Sequence, residues 1–415
     1  MKRPVLILGW IPRIALTVAR SLNHRGIEVD LALCVRAPVP RSRTVRNVYR
    51  LPYPNDSPRA FLTELQKVLA ARRHDLLIPT DDVAISAVME HYDQISDSVQ
   101  IACPPPETTR KVLHKEETLE AATQCGLRVP RTITVSSTGD LWGLELEIPM
   151  PWILKPAAKE KCIEEFTSLR VNTLEDVRAK YPQFRRFEPA MLVQEYCEGV
   201  GVGVQMLMHR GQPLAIFQHR RLKELPYAGG VAVTAIAEKP DAQLVGWSLK
   251  LLRSLQWEGV AMVEFRMNLS TGEAVFLEVN GRYWGSVSLP VAVGLDLPYY
   301  QWQVLHGKQP KIPDGYEAGV RWRWTAGYFN RLYRLIVLAR KSAEARAELK
   351  RTLAQVLTDF SPSVRDALFY SSDPLPAILE LAQTASFFSK YTFTALCKRR
   401  PGVGKTTSSS KAALL

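Results

Sequence analysis

The first eighty residues alternate between short apolar runs and amphipathic stretches of helical spacing. Residues 4–9 are apolar and end at Gly9, Ile14 to Arg25 repeats its apolar positions at helical intervals and stops at Gly26, and Glu28 to Val35 reads as another strand. A helix over 58–72 leads to the strand Asp75-Leu76-Leu77-Ile78-Pro79, after which Thr80-Asp81-Asp82 opens another helix. Alternation of this kind builds a parallel sheet wound with helices. Gly9 stands alone, without the Gly-x-Gly-x-x-Gly that cradles a dinucleotide pyrophosphate, so a nicotinamide cofactor is not expected. Thr80, Asp81 and Asp82 fall at a strand's carboxyl end, where open sheets place ligands, and they equally suit a helix cap.

Prolines 104–106 mark a boundary, and the helix expected over 107–125 stops at Gly126. From Val129 to about 195 short strands surround a helix near 173–181. The stretch Glu198 to Val204 enters a strand with alternating glycines; further strands are expected at 213–221 and 231–237, a helix at 241–255, and a mostly apolar helix at 288–305. Residues 331–357 have helical spacing with Arg and Lys on the polar face, Asp373-Pro374 interrupts, and another helix follows. Small polar residues from Arg399 onward predict disorder.

Two acids break the apolar pattern where it is strongest. Val260 to Arg266 and Phe276 to Arg282 read as paired strands, and Glu264 and Glu278 sit inside them. A three-residue loop, Ser270-Thr271-Gly272, would pair 269 with 273 and hence 264 with 278, on one face. Asn280 shares that face. Like charges directly opposite call for a cation between them, and an all-oxygen set suits Mg2+ rather than zinc. The same residues would also make an ordinary hairpin whose acids face solvent.

At 415 residues and 46% hydrophobic content the chain is expected to be globular, with two to four compact units. The net charge of +13 is concentrated at the ends: residues 1–50 carry +8, residues 321–415 carry +10, and the middle carries −5. Nucleic-acid binding, which needs basic and aromatic residues around the chemical core, is therefore not expected. The basic tail could meet an anionic surface, and Phe387 to Phe393 followed by Lys398-Arg399-Arg400 could form an interfacial anchor or pack against the domain. Met1-Lys2-Arg3 with Val5 to Leu8 imitates a signal peptide, but Arg13 and Arg20 break the apolar run, and no segment is long enough to span a membrane. The six cysteines are scattered without a framework, as expected of reduced thiols in a cytoplasm.

Two further strand ends carry chemistry. Trp152-Ile153-Leu154-Lys155-Pro156 puts a lysine at the end of an apolar strand, either snorkelling or facing an anion. Met191 to Tyr196 is an apolar strand running into a polar turn, whose backbone could pair with an adenine edge. Taken in order, Lys115 before Val129-Pro130, Ile153-Leu154-Lys155-Pro156, Gln194-Glu195-Tyr196, Glu264 and Glu278-Val279-Asn280-Gly281-Arg282 resemble the ATP-grasp superfamily over about residues 1–310. Within it the chain is similar to carbamoyl-phosphate-synthase-like, uncharacterised carboxylate ligases of bacteria, through His219-Arg220-Arg221, Gly229-Gly230, Arg321-Trp322-Arg323-Trp324 and Asp373-Pro374.

The resemblance implies an α/β and α+β protein: a Rossmann-like pre-ATP-grasp domain (1–106), two ATP-grasp subdomains (107–195 and 196–310), a basic helical extension (311–398) and a disordered tail (399–415). It implies that Lys115 and Lys155 contact ATP phosphates, that Gln194, Glu195 and Tyr196 meet the adenine and Glu198 the ribose, that Glu264, Glu278 and Asn280 hold Mg2+ or Mn2+, and that Arg282 lies near the transferring phosphate. His219, Arg220 and Arg221 are candidates for phosphate or substrate carboxylate, or form a solvated strand edge. The implied reaction joins a small-molecule carboxylate to an amine through an acyl phosphate; a non-catalytic, ATP-binding regulatory protein tethered by its tail is the other reading. One departure stands out: Ala157 to Cys162 contains no glycine where the superfamily has a glycine-rich lid, leaving Lys159 and Lys161 as possible substitutes. Gly402-Val403-Gly404-Lys405-Thr406 mimics a P-loop, but Arg399 stands where its first glycine belongs and only eight residues follow Thr407.

Overall fold

The computed structural model describes residues 3–34, 41–144, 147–157, 168–184, 191–227 and 229–397. The glycine-free loop with Lys159 and Lys161, and the Gly-x-Gly-Lys-Thr stretch of the tail, lie outside these residues.

The N-terminal strands β1 (Val5–Gly9), β2 (Val29–Leu33), β3 (Asn47–Arg50), β4 (Leu76–Pro79) and β5 (Gln100–Ile101) form the expected parallel sheet, in the order β3-β2-β1-β4-β5. Helices α1 (Pro12–His24), α2 (Pro58–Arg72), α3 (Asp82–Glu90) and α4 (Tyr92–Ser96) connect them. Val5 and Ile7 of β1 pack with α1, and Leu6 and Leu8 with α2 and α3, so both faces are covered. The strand order reverses between β1 and β4. Outside the carboxyl ends of such a strand pair an open sheet has a crevice.

The helix expected over 107–125 is two, α5 (Pro106–Leu113) and α6 (Lys115–Gln124). No proline or glycine breaks it. His114 is extended (φ −90°, ψ 113°), and Lys115 N–H donates to Ala157 O at 3.3 Å, a tertiary bond in place of an intrahelical one. A four-stranded antiparallel sheet follows, β6 (Thr132–Val135), β7 (Trp152–Pro156), β8 (Leu169–Val171) and β9 (Met191–Glu195), ordered β6-β9-β7-β8, with α7 (Leu174–Phe184) after β8.

The largest sheet contains β10 (Val200–His209), β11 (Gln212–Leu225), β12 (Val231–Glu238), β13 (Gly259–Met267) and β14 (Ala274–Asn280), with α8 (Ala242–Ser254) packed on one face. The apolar run 288–305 is also two helices, α9 (Ser288–Ala292) and α10 (Leu297–Leu305), because Gly294 takes a left-handed φ of 91° between them. Two short strands that the sequence pattern does not predict extend the sheet to β14-β13-β10-β11-β12-β15-β16: β15 is Arg321–Arg323 and β16 is Arg365–Asp366. Between them the stretch expected to be helical over 331–357 forms α11 (Thr325–Leu338), α12 (Ala343–Ala354) and α13 (Val356–Asp359), with Ser342 capping α12. The last helix is α14 (Leu375–Cys397). Phe388, in the stretch expected either to anchor the tail at a surface or to pack against the domain, stacks on Tyr333 of α11 with ring centroids 4.6 Å apart.

One hydrophobic core joins the ends of the chain. Ile14, Val18 and Leu22 of α1 share it with Phe217, Val233 and Ala235 of the large sheet and with Trp322, Tyr328, Leu368 and Ala377. Arg20 and Asp373 pair inside it at 2.8 Å, and Ser42 Oγ and Arg43 N–H also donate to Asp373. Among the described residues no helix is long and apolar enough to cross a membrane.

Candidate active site

The floor of the cleft is made by missing side chains. Gly201 and Gly203 alternate along β10 with buried valines, so one face of the strand is bare. Gly203 lies between His219 on β11 and Glu264 on β13. A Cβ at Gly203 would come within 2.6 Å of His219 Cε1, and one at Gly201 within 2.7 Å of Arg221 Cδ. Across this groove Arg221 reaches Glu264, with Nη2 donating to Oε2, while its Nη1 donates to Gly230 O at 2.9 Å.

Glu264 stands directly opposite Glu278, as expected, but by a different route. Met267 pairs with Ala274, and Asn268 N–H donates to Glu273 O, which leaves a four-residue loop, 269–272, with Gly272 at φ 74°. That register is one residue short. A β-bulge at Leu277 restores it and brings the two acids face to face. Asn280 Nδ2 bridges them, donating to Glu264 Oε1 at 2.8 Å and to Glu278 Oε1 at 3.3 Å, and its Oδ1 accepts from Arg282 Nη2 at 3.0 Å. Burial raises the Glu264 carboxyl above the usual carboxylate range; Arg221 works against this and Glu278 adds to it. Burial disfavours the charge on Arg221, yet Glu264 and Glu224 more than compensate and hold it firmly cationic.

The donor set fits a hard divalent cation. Two carboxylates and the Asn280 amide converge on one strand pair, and turning that amide over, which gives up its bond from Arg282, would present Oδ1 where Nδ2 now bridges the acids. Among the described residues no group of three or more acid, histidine or cysteine side chains gathers as metal ligands, so the set is two acids and the amide.

The opposite wall comes from the small antiparallel sheet. Lys155 is buried at the end of β7, and Lys115, at the start of α6, donates from Nζ to Pro156 O at 2.8 Å. Gln194 Nε2 donates to Thr132 Oγ1, and the amides of Glu195 and Tyr196 donate to Arg131 O and Pro151 O, so these N–H groups are spent within the fold. The Tyr196 ring lies 4.2 Å under the Arg170 guanidinium.

The N-terminal sheet supplies the third wall, at its switch point. Asp81 caps α3, with Ala84 N–H donating to Oδ1 at 3.0 Å, and accepts from Trp10 N–H at 2.6 Å, tying the ends of β1 and β4 together. Burial pushes its carboxyl up to about 6 against the pull of these two amides. Asp82 pairs with Arg282, Nη2 to Oδ2 at 2.7 Å. The stretch 80–82 is therefore both a cap and part of the cleft.

These walls enclose a cavity of about 450 Å³. Its lining brings together Lys115, Lys155, Gln194, Glu195, Tyr196, His219, Arg221, Glu264, Glu278, Asn280 and Arg282. Two of the sequence candidates are not among the lining residues: Glu198 is exposed, and Arg220 pairs with Glu238 at 2.5 Å. His219 is buried, and burial together with Arg221 pulls its pKa down to about 3, so it is neutral. Its Nδ1 accepts from Gln205 Nε2 at 2.5 Å, which places the ring proton on Nε2, an atom with no partner among the described residues. The lining also holds Trp10, Arg13, Trp284, Trp324 and Glu380, none of which the sequence places at the site. Trp10 and Arg13 follow the end of β1, a position the strand-end rule could have flagged; Trp324 belongs to the Arg321-Trp322-Arg323-Trp324 run, and Glu380 carries no local signal.

Residues 187–327 match a family described as "ATP-grasp in the biosynthetic pathway with Ter operon". The chain has the ATP-grasp fold. Pyruvate carboxylase from Rhizobium etli superposes with a TM-score of 0.58 at 17% identity over 75% of this chain, which spans only 29% of that longer protein. The L-amino acid ligase from Bacillus licheniformis superposes with a TM-score of 0.55 at 16% identity, covering 74% of each chain. The biotin carboxylase domain of Hydrogenobacter thermophilus 2-oxoglutarate carboxylase, solved with MgADP, ADP and bicarbonate, superposes with a TM-score of 0.59 at 12% identity over 77% of this chain and 74% of its own. No curated relative matches the chain. In this chain the cleft lies between the small antiparallel sheet and the large one, with the N-terminal sheet closing its third side.

Proposed function

We propose that the protein is an ATP-dependent, ADP-forming ligase that activates a small-molecule carboxylate as an acyl phosphate for attack by an amine or similar nucleophile. The observation that carries this reading is the meeting, in one cleft, of the Glu264–Glu278 pair, the buried cations Arg221 and Arg282, and the lysines Lys115 and Lys155 on the facing wall. Phosphoryl transfer needs positioning and neutralisation of oxygen charge more than covalent help from the protein.

In this reading Lys115 and Lys155 bind the nucleotide phosphates. The 193–196 segment borders the adenine, and Glu198, exposed just beyond the lining, would reach the ribose from the cleft's edge. Glu264, Glu278 and Asn280 would hold Mg2+, which when bound neutralises phosphate oxygens and polarises the transferring group. Arg282, aimed by Asp82, and Arg221 complete the cationic lining. The neutral His219 offers Nε2–H to a phosphate or carboxylate oxygen. A substrate carboxylate oxygen attacks the γ-phosphorus while the bond to the ADP oxygen breaks. The nucleophile's lone pair then attacks the acyl carbon, phosphate leaves with the C–O bond pair, and a proton is released.

The test is to incubate the purified protein with MgATP and a panel of carboxylic acids and amines, following ADP, phosphate and a condensed product. Formation of all three together is the expected result. Tight MgATP binding without turnover on any pair would favour a regulatory nucleotide-binding protein.

A further inference from the structure

Behind Arg221 stands a carboxylate that the reaction does not use. Glu224, three residues further along β11, is not among the lining residues of the cleft, and its side chain is 11% exposed. Its Oε1 lies 3.4 Å from Arg221 Nη1 and its Oε2 lies 2.9 Å from Arg266 Nη1, so it bridges two arginines that both line the cleft. The bridge crosses the bare face of β10: a Cβ at Gly201 would come within 2.7 Å of Arg221 Cδ and 2.8 Å of Glu224 Oε1. Arg221 in turn reaches Glu264 through Nη2, and Arg266 Nη1 also donates to Gly199 O at 3.3 Å.

In an unbroken strand, positions 221 and 224 point to opposite faces. Here the register shifts twice. Arg221 pairs with Ala235, Lys223 with Thr234 and Glu224 with Ala232, so Leu222 is an extra residue on β11 and Val233 an extra residue on β12. The double bulge turns Glu224 onto the cleft face beside Arg221 and leaves Lys223 on the other, where the helical extension meets it.

The extension holds both bulged residues. Arg331 of α11, 2% exposed, donates from Nε to Glu224 O at 2.9 Å, from Nη1 to Thr352 Oγ1 at 2.7 Å, and from Nη2 to Glu348 Oε1. Lys223 Nζ pairs with Asp359 Oδ2 at 2.7 Å and donates to Gln355 Oε1 at 2.6 Å, and Tyr328 OH donates to the same Asp359 oxygen at 3.1 Å. Removing one member of such a buried pair strands the charge of the other, so neither end is free to drift. The extension also reaches the lining itself: the Trp324 ring lies 3.8 Å under the Arg13 guanidinium, and its Nε1–H donates to Glu380 of α14 at 3.2 Å.

We propose that Arg331 and Lys223 are positioning residues: they fix the double bulge of β11, and through it the Glu224 carboxylate that orients Arg221 against Glu264 and Arg266 against Gly199. The helical extension is then part of the apparatus that receives the nucleotide phosphates rather than a separate module. The proposal rests on the ligase reading for its ligand, and it concerns residues to which that reading gives no role. An amide at position 224 would keep the shape of the bridge but lose its charge-assisted hold on both guanidiniums.

The experiment is a double-mutant cycle on the full chain, with MgADP affinity read by calorimetry and stability by thermal denaturation. Arg331→Lys keeps a cation for Glu348 but cannot serve three acceptors in the geometry of a guanidinium, and it should weaken MgADP binding fivefold to tenfold. Glu224→Gln should weaken it at least as much. In the Glu224→Gln background, Arg331→Lys should change the affinity less than twofold while lowering the melting temperature as much as it does alone. If Arg331→Lys does not fold, Lys223→Met combined with Asp359→Asn, which removes both charges and keeps an acceptor for Tyr328, takes its place in the cycle with the same expectation. Unchanged MgADP affinity in the variant of the extension, or an equal loss in both backgrounds, would overturn the proposal and make the contacts purely structural. Wild-type protein that binds no MgADP would overturn the ligase reading, and the proposal with it.

Discussion

Arg282 Nη2 lies 2.7 Å from Asp82 Oδ2, so the arginine two residues past the end of β14 is aimed by a residue at the first turn of α3, in the N-terminal sheet domain. Both side chains are largely buried (17% and 19% exposed), and the same Nη2 also donates to Asn280. Asp82→Asn should therefore lower kcat about 10- to 100-fold with little change in the KM for ATP, by the scale of a buried charge-assisted bond. Arg282→Ala should cost more, and the double variant should be no worse than Arg282→Ala. Additive losses in a double-mutant cycle would show that the two act separately.

Glu278→Ala removes one of the two acids that face each other across the bulged strand pair. Mg2+-dependent ATP turnover should fall to background while the melting temperature holds within a few degrees, since deleting one of two opposed like charges relieves repulsion. Turnover at the wild-type level would remove the metal assignment.

Lys155 is buried at the end of β7 on the wall facing those acids. Its replacement by Ala should raise the ATP dissociation constant about tenfold or more, from roughly 1.5–3 kcal/mol for a hydrogen bond to a charged group. Equilibrium titration with ATP decides it, and an unchanged affinity would make the lysine structural.

His219 gives a pH prediction. Burial and Arg221 lower its pKa from 6.5 to about 3, so the folded state holds fewer protons than the unfolded state at pH between these values. Its contribution to stability is complete above pH 6.5 and is lost as pH falls towards 3, with a slope of about 1.4 kcal/mol per pH unit. Chemical denaturation of wild type and His219→Gln from pH 4 to pH 8 should show the variant flatter by about one proton on the acid side. Parallel curves would mean that the histidine is not buried neutral.

Periodicity was enough to read the strands β1, β2 and β4 of the N-terminal sheet, because β1 and β4 are continuous apolar runs, β2 is apolar but for Asp30, and the helices between them are stopped by Gly26 or opened by capping residues. The acid pair was legible for a similar reason: alternation fixes which face a strand residue takes, and two acids on an apolar strand stand out. The hairpin shows the limit. Loop length was off by one residue and the bulge at Leu277 compensated, and a bulge leaves no mark in an apolar run. Helix breaks at His114 were equally silent, since a tertiary bond to Ala157 takes the place of a breaker residue. The contacts that join Arg13 to Trp324 and Trp324 to Glu380 were invisible in sequence because they link the two ends of the chain, although Trp324 itself stands in the Arg321-Trp322-Arg323-Trp324 run.

That distance has a consequence during synthesis. A ribosome releases α1 early and α14 late, so the N-terminal sheet and the strands that carry Glu264 and Glu278 can form before the indole that seats Arg13 has a carboxylate behind it. A nascent chain would thus acquire the elements proposed to handle nucleotide before the wall that Trp324 adds to the cleft is held in place. Completion of α14 is then the step that puts the Glu380 carboxylate behind that indole.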